Sequence, residues 1–310
     1  MSTGIDLASD AVPLREIYDA FKPQPPPNSP WAALNGDFGL ELGGWMSHIA
    51  GLPEGTPFLY RFYTHDPWFL NSPWLDRYER EPHDIYLPLA VSTIDASGNA
   101  AAPSLLSILT VDDSYGRMPD KVPNEVIPRL LEGFEHAPDK PGPIVWIHPF
   151  DEMHEPLLAG GRRLDEILFC DCFVCGAINQ GFPLNTVVSS ANFVKGVATN
   201  PAAYRESILF APVALLSSAC VDSLEGCLKS GGRLMLYGPV SNADERVLKL
   251  LNLRKTSPLE GEFDLSVSSN LDSFKTGRPS KITHIPLVSG GGLDAVLADS
   301  SDGDTKVLAG

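Results

Sequence analysis

The chain has 310 residues, of which 43% are hydrophobic, 9% aromatic and 20% charged, enough to bury real cores and incompatible with a wholly disordered chain. Its 23 basic residues against 39 acidic ones give a formal net charge of −16, a field that repels phosphate backbones and anionic headgroups, so nucleic acid and membrane are not expected partners. The acidity is uneven, with 9 basic and 20 acidic residues in 1–142 against 14 and 19 in 143–310, which suggests two units, the first suited to neutral or cationic ligands.

In chain order, the first break is KPQPPPNSP, Lys22 to Pro30, whose five prolines preclude helix and favour an extended linker, with structure expected to begin after it. From there to Pro143, apolar runs alternate with Pro/Gly punctuation. FLYRFYT, DIYLPLAVSTI and LLSILTV read as strands, ending in His65-Asp66, DASGN and Asp112-Asp113. VPNEVIPRLLEGFEHA reads as the one clear helix of this region, capped by Asn124 with Pro128 in its first turn. After Pro143 short β-rich runs alternate with amphipathic segments, the rhythm of a parallel sheet flanked by helices. The expected strands are 144–150, 184–190, 207–213 and 233–240. The helical segments are LDEILFCDCFVCGAINQG, SACVDSLEGCLKSGG and NADERVLKLLNL, the first two stopped by glycine. EFDLSV, HIPLVS and DAVLAD then form a small β-rich segment. The expected division is 1–30 (N-terminal segment and linker), 31–142 (acidic, Trp-rich mixed α/β region), 143–253 (parallel α/β) and 254–310 (β-rich).

The longest charge-free apolar stretch, Ser207 to Val221, has 15 residues, short of the ~20 that span a bilayer. The N-terminus has no basic region followed by an apolar core, and five cysteines, an odd number, point to reduced thiols rather than a disulfide framework. The expected location is cytoplasmic.

No GxSxG elbow, GxxxxGK[ST] loop, GxGxxG turn after a strand or HExxH pair occurs, and Gly290 to Gly292 read as a flexible turn. No cofactor and no metal is required by the residues. Cys170, Cys172 and Cys175 lie in an apolar helix-like run without a second CxxC, so they read as buried thiols, as do Cys220 and Cys227. His148, Asp151, Glu152 and His154 collect past a strand end, where ligands gather in α/β folds. A metal site there competes with the plainer reading, a polar loop complementing the next helix dipole. The richest constellation interleaves tryptophans and carboxylates in HDPWFLNSPWLDRYEREPHD and TVDDSYGRMPD. Aromatic faces stack on sugar rings, carboxylates bind hydroxyls, and a carboxyl pair can act as acid and nucleophile or base in glycosidic cleavage. Asp113 is the first candidate for acid or nucleophile, with Asp66 or Asp84 as its partner. His65, Trp68, Trp74 and Asp112 are candidate substrate contacts. The same residues would also serve as turns and as a lid over a core.

IVWIHPFDE, FVCGAINQGFPLNTVVSS, YRESILFAPVALLS and LEGCLKSGGRLMLYGPV follow one another in an order that resembles the glutamine-amidotransferase-like domain after the barrel in family 42 β-galactosidases, often called the trimerisation domain. The resemblance implies a Rossmann-like parallel sheet, a carbohydrate partner and a homo-oligomer. In one reading the region 31–142 supplies part of a glycosidase barrel. An amidotransferase needs a cysteine on a strand-to-helix elbow, and none of these strands ends in one, so glutaminase activity is not implied. The family's catalytic glutamates lie in a full barrel of ~250 residues, more than precede Pro143, and none is carried over. Three readings stay open: part of a longer glycoside-hydrolase-like protein, a shorter protein with its own sugar site, and a non-catalytic carbohydrate-binding or oligomerisation module. A glycosidase predicts carboxyls ~5–5.5 Å apart for retention or ~6.5–9.5 Å for inversion.

Overall fold

The computed structural model describes residues 14–29, 36–63, 65–66, 72–73, 83–109, 120–153, 163–256, 261–264, 266, 280–284 and 294–296. At its centre is a six-stranded sheet whose strands are, in spatial order, Arg233–Tyr237 (β10), Ile208–Pro212 (β9), Ile144–His148 (β7), Thr186–Ser189 (β8), Ser92–Ile94 (β4) and Ala100–Ala101 (β5). The first five run parallel, and β5 turns back antiparallel on β4. Every residue of β7 and β8 is buried, which accounts for their unalternating β-branched sequence: strands covered on both faces have no solvent side to mark. The outer β10 alternates in exposure.

Helices cover both faces. On one, Ile144, Trp146, Val187 and Phe210 pack against Phe38–Ile49 (α2) and Leu164–Asn179 (α5). On the other, Val145, Ile147, Val188 and Leu209 pack against Ser190–Thr199 (α6) and Ser218–Lys229 (α7). Each such side chain, fully buried, contributes about 1.5–3 kcal/mol. The chain passes from β7 to β8 in one direction and from β8 to β9 to β10 in the other. That reversal puts α5 and the pair α6, α7 on opposite faces, as a constant right-handed crossover requires. Gly181 and Gly231, at φ 87° and 84°, end α5 and α7 in the left-handed conformation that glycine adopts without strain. Glu245–Leu250 (α8) follows β10.

The sheet and its core cross position 142. Ser92–Ile94 belongs to the acidic N-terminal part of the sequence, yet β4 pairs with β8, and one continuous core runs from Leu42 to Tyr237. The remaining described strands of residues 31–142 do not run on round a barrel. Leu59–Tyr63 (β1) pairs in parallel with Leu105–Leu109 (β6), and His65–Asp66 (β2) forms a short hairpin with Ser72–Pro73 (β3). Towards the C-terminus Leu253–Lys255 (β11) pairs with Asp294–Val296 (β14), and Gly261–Asp264 (β12) with Lys281–His284 (β13).

Several local expectations are corrected. DIYLPLAVSTI is not one strand. His83–Leu89 (α3) precedes β4, and Ile85 and Leu89, four apart, both face the core, a helical spacing hidden by the β-rich composition. Leu14–Phe21 (α1) precedes the proline-rich stretch, so structure begins before it. In Lys121–Glu135 (α4), Asn124 is an interior residue and not the cap. Asp120 holds the cap position without a side-chain bond, and Pro128 sits mid-helix. Pro123 occupies the first turn, where a missing N–H costs nothing, while the buried Val126 and Leu130 hold the interior turn around Pro128. α2 lies outside the expected elements, and α6 begins at Ser190, the last residue of the expected strand 184–190. α2 contains Gly39, Gly43 and Gly44, poor helix formers. Packing overrides propensity, because a Cβ on Gly39 would lie 2.0 Å from the Cys175 carbonyl oxygen. Only glycine lets α2 come this close to α5. Asn179 on α5 completes the junction, its Oδ1 accepting from Gly39 N at 2.7 Å and its Nδ2 donating to Asp37 Oδ1 at 2.9 Å. Cys172, expected to be buried, is exposed. Among the described residues no helix is long and apolar enough to cross a membrane.

Candidate functional site

In an open parallel sheet the carboxyl ends of strands on either side of the winding reversal leave a crevice that the adjoining helices do not fill. Here that position lies between β7 and β9, and polar side chains, most of them buried, sit at the ends of the neighbouring strands. β7 ends in His148, opposite Ser189 of β8. Ser189 accepts from Asn192 N at 3.2 Å, capping α6, and its own N–H donates to Ala50 O at 3.1 Å, which ties the end of α2 to this edge. The next residue, Ser190, donates its hydroxyl to Glu152 Oε2 at 2.5 Å. Asp151 is exposed beside it.

A second polar group lies on the β9 and β10 side. Glu166, in the first turn of α5, is 2% exposed. Arg163 Nε donates to Glu166 Oε2 at 2.8 Å, and its Nη2 lies 2.7 Å from the same oxygen. Nη2 also donates to the Ala214 carbonyl, just past β9, at 2.7 Å. Asn242, just past β10, donates its amide to Glu166 Oε1. A buried carboxylate is tolerable only when its lone pairs are taken up in this way. Under the edge, Trp146 Nε1 donates to the Tyr237 hydroxyl at 3.0 Å, and burial raises the Tyr237 phenol well above its ordinary range.

His148 is 1% exposed, and neither ring nitrogen has a hydrogen-bond partner among the described residues. Its ring meets Trp146 edge-on at 4.6 Å. Burial, and then the nearby His48 of α2, pull its pKa down to about 3, so it is a neutral imidazole at physiological pH. Burial lifts the thiols of Cys170 and Cys220 to about 12, which removes them as nucleophiles. The turn after β9 carries Val213 and Ala214 and no cysteine. Among the described residues no group of three or more His, Cys, Asp or Glu side chains could hold a metal ion.

Of the residues selected from sequence, Asp113, Asp112, Trp68 and Trp74 lie outside the described residues, as does His154 of the strand-end cluster. His65 and Asp66 form β2, opposite Pro73 and Ser72. Asp84 is the second residue of α3, a helix and not the strand end that was expected. Within the strand-end cluster His148 closes β7 and is sealed in the core, whereas Glu152 reaches Ser190. Ser190, Arg163, Glu166 and Asn242 were not visible as site residues in the sequence. Glu166 reads there as one acid of a helix N-terminus, and nothing local marks it as buried.

Protein-family models, curated proteins and solved structures were all compared with the chain, and none matches it.

Proposed function

We propose that the chain is a carbohydrate-active protein related to glycoside hydrolases, in which the parallel sheet is a Rossmann-like, amidotransferase-like domain without glutaminase chemistry. The supporting observation is the carboxyl edge of the sheet. At that edge Asp151 is exposed and Glu152 half-buried, the latter accepting from the Ser190 hydroxyl. Carboxylate oxygens in that position accept from the hydroxyls of a polyol. The net charge of −16 weighs against anionic ligands. Catalysis in this reading belongs to Asp113 with Asp66 or Asp84, and the contacts to His65, Trp68, Trp74 and Asp112. A cytoplasmic setting agrees with five free cysteines.

The second reading, a non-catalytic carbohydrate-binding or oligomerisation module, draws on a different observation. The edge carboxylates are already engaged within the protein, and among the described residues β10 is an outer strand with Met235 40% exposed, an edge of the kind that takes up a second copy. Incubation of the purified chain with a panel of chromogenic aryl glycosides, alongside Asp113→Asn, separates the two. Hydrolysis lost in the variant supports a glycosidase. Silence from a folded protein that still binds oligosaccharides supports the module, and absence of both activity and binding removes the carbohydrate reading.

A further inference from the structure

A groove of about 520 Å³ lies between the end of α1 and the turn after α2, within the ~300–1,000 Å³ of small-molecule sites. Tyr18, Asp19, Lys22 and Gln24 form one wall, Glu54 and Thr56 the other, with proline on both rims. Proline keeps both walls stiff, so the opening is formed before any ligand arrives. Glu54 accepts from Ser97 Oγ at 3.3 Å, in the turn after β4, so the groove borders the same edge of the sheet as the site above.

Three features distinguish it from an ordinary surface dip. The side chains of Asp19, Lys22 and Gln24 are exposed and make no hydrogen bond or ion pair among the described residues. One anionic acceptor, one cationic donor and one amide therefore line the groove without a side-chain partner among the described residues. Tyr18 packs on the main core and also lines the groove, so its position is fixed. Lys22 closes α1 through its N–H to Tyr18 O at 2.9 Å while holding φ at 45°. That left-handed cap normally falls to glycine, and a lysine there is a backbone outlier of the kind that gathers at ligand clamps.

We infer that this groove is a carbohydrate subsite that takes one end of a neutral oligosaccharide, an inference that rests on the carbohydrate reading above. Tyr18 offers an aromatic surface to the apolar face of a pyranose. Asp19 and Gln24 accept from and donate to its hydroxyls, and Lys22 donates to ring or hydroxyl oxygens. Charges of both signs and an overall acidic protein favour an uncharged sugar over a phosphate or a uronic acid.

The test is isothermal titration of the full chain with glucose, galactose, mannose, xylose, N-acetylglucosamine and their β-1,4-linked disaccharides. It is repeated on Asp19→Ala/Gln24→Ala and on Thr56→Trp, which fills the groove. These positions are not in the core, and an unchanged thermal melting curve verifies folding. The expected result is binding of at least one disaccharide by the parent and at least fivefold weaker binding by both variants. Parent binding that survives either variant with less than that loss overturns the groove and leaves the carbohydrate reading standing. No binding of any panel sugar by the parent overturns both.

Discussion

Asn28 and Arg61, thirty-three positions apart, are joined as two strands would be: Arg61 N donates to Asn28 Oδ1 at 2.7 Å, and Asn28 Nδ2 donates to the Arg61 carbonyl at 3.1 Å. The same Nδ2 donates to Glu41 Oε1 at 2.7 Å. A side-chain amide thus supplies the edge partner that the preceding prolines cannot, and binds the proline-rich stretch to β1 and α2. Asn28→Ala removes all three bonds at a 2% exposed site. It is expected to destabilise the fold by about 2–4 kcal/mol, read as a lower urea midpoint at unchanged slope. A loss below about 0.5 kcal/mol would show that water replaces the amide without cost.

His148 makes stability depend on pH. Its folded pKa, about 3, lies below the ordinary histidine value of about 6.5, so between these limits the unfolded chain binds the proton and the folded chain does not. Stability is complete above about pH 6.5 and falls as the pH drops towards 3, with a slope of up to about 1.4 kcal/mol per pH unit from this group alone. The charged form has no escape inside the core: Trp146 and Phe150 flank the ring, and the nearby His48 of α2 further disfavours a positive charge there. Urea midpoints of the parent and His148→Leu at pH 7 and pH 4.5 should diverge, the parent losing more. Parallel losses would assign the acid sensitivity to other groups.

Arg163 and Glu166 are expected to behave as a coupled pair. Arg163→Met leaves the 2% exposed Glu166 carboxylate with the Asn242 amide but without its cation, and should cost about 3–5 kcal/mol. Arg163→Met/Glu166→Leu removes the stranded charge together with its partner and should recover most of that loss. Simple additivity of the two single substitutions in thermal unfolding would mean that the contact contributes nothing by itself.

The parallel sheet was legible because β7, β8 and β9 are largely buried on both faces and therefore mostly apolar, and because Gly181 and Gly231 mark where α5 and α7 stop. α2 was not, since the glycines that let it lie on α5 are also the residues that weaken a helical pattern. Gly39 makes sense only once the Cys175 carbonyl stands 2.0 Å from the place of its missing Cβ. The same holds for the polar edge. Glu152 and His148 were marked by their place after a strand, but the partnership of Glu152 with Ser190 spans 38 positions and that of Glu166 with Asn242 spans 76, distances over which sequence spacing carries no contact information. Asn28 lay inside a stretch whose prolines indicate an extended chain and give no sign of what that chain touches.

The cysteines allow the expectation of no thiol chemistry to be tested. CxCxxC on α5 spreads its three sulfurs over different environments: Cys170 is buried, Cys172 exposed and Cys175 between them, while on α7 Cys220 is buried and Cys227 intermediate. Reaction with iodoacetamide goes through the thiolate. With pKa values of about 12, Cys170 and Cys220 carry a thiolate fraction on the order of one in 10⁴ to 10⁵ at pH 7.5, in addition to being shielded. Timed alkylation at pH 7.5 followed by peptide mass spectrometry should show Cys172 modified first, Cys175 and Cys227 slowly, and Cys170 and Cys220 only in urea. A cysteine-dependent acyl transfer would need the opposite pattern, with one sheltered thiol reacting faster than the exposed Cys172. That outcome would return thiol catalysis to the sheet and displace the reading of its carboxyl edge as a surface for sugars.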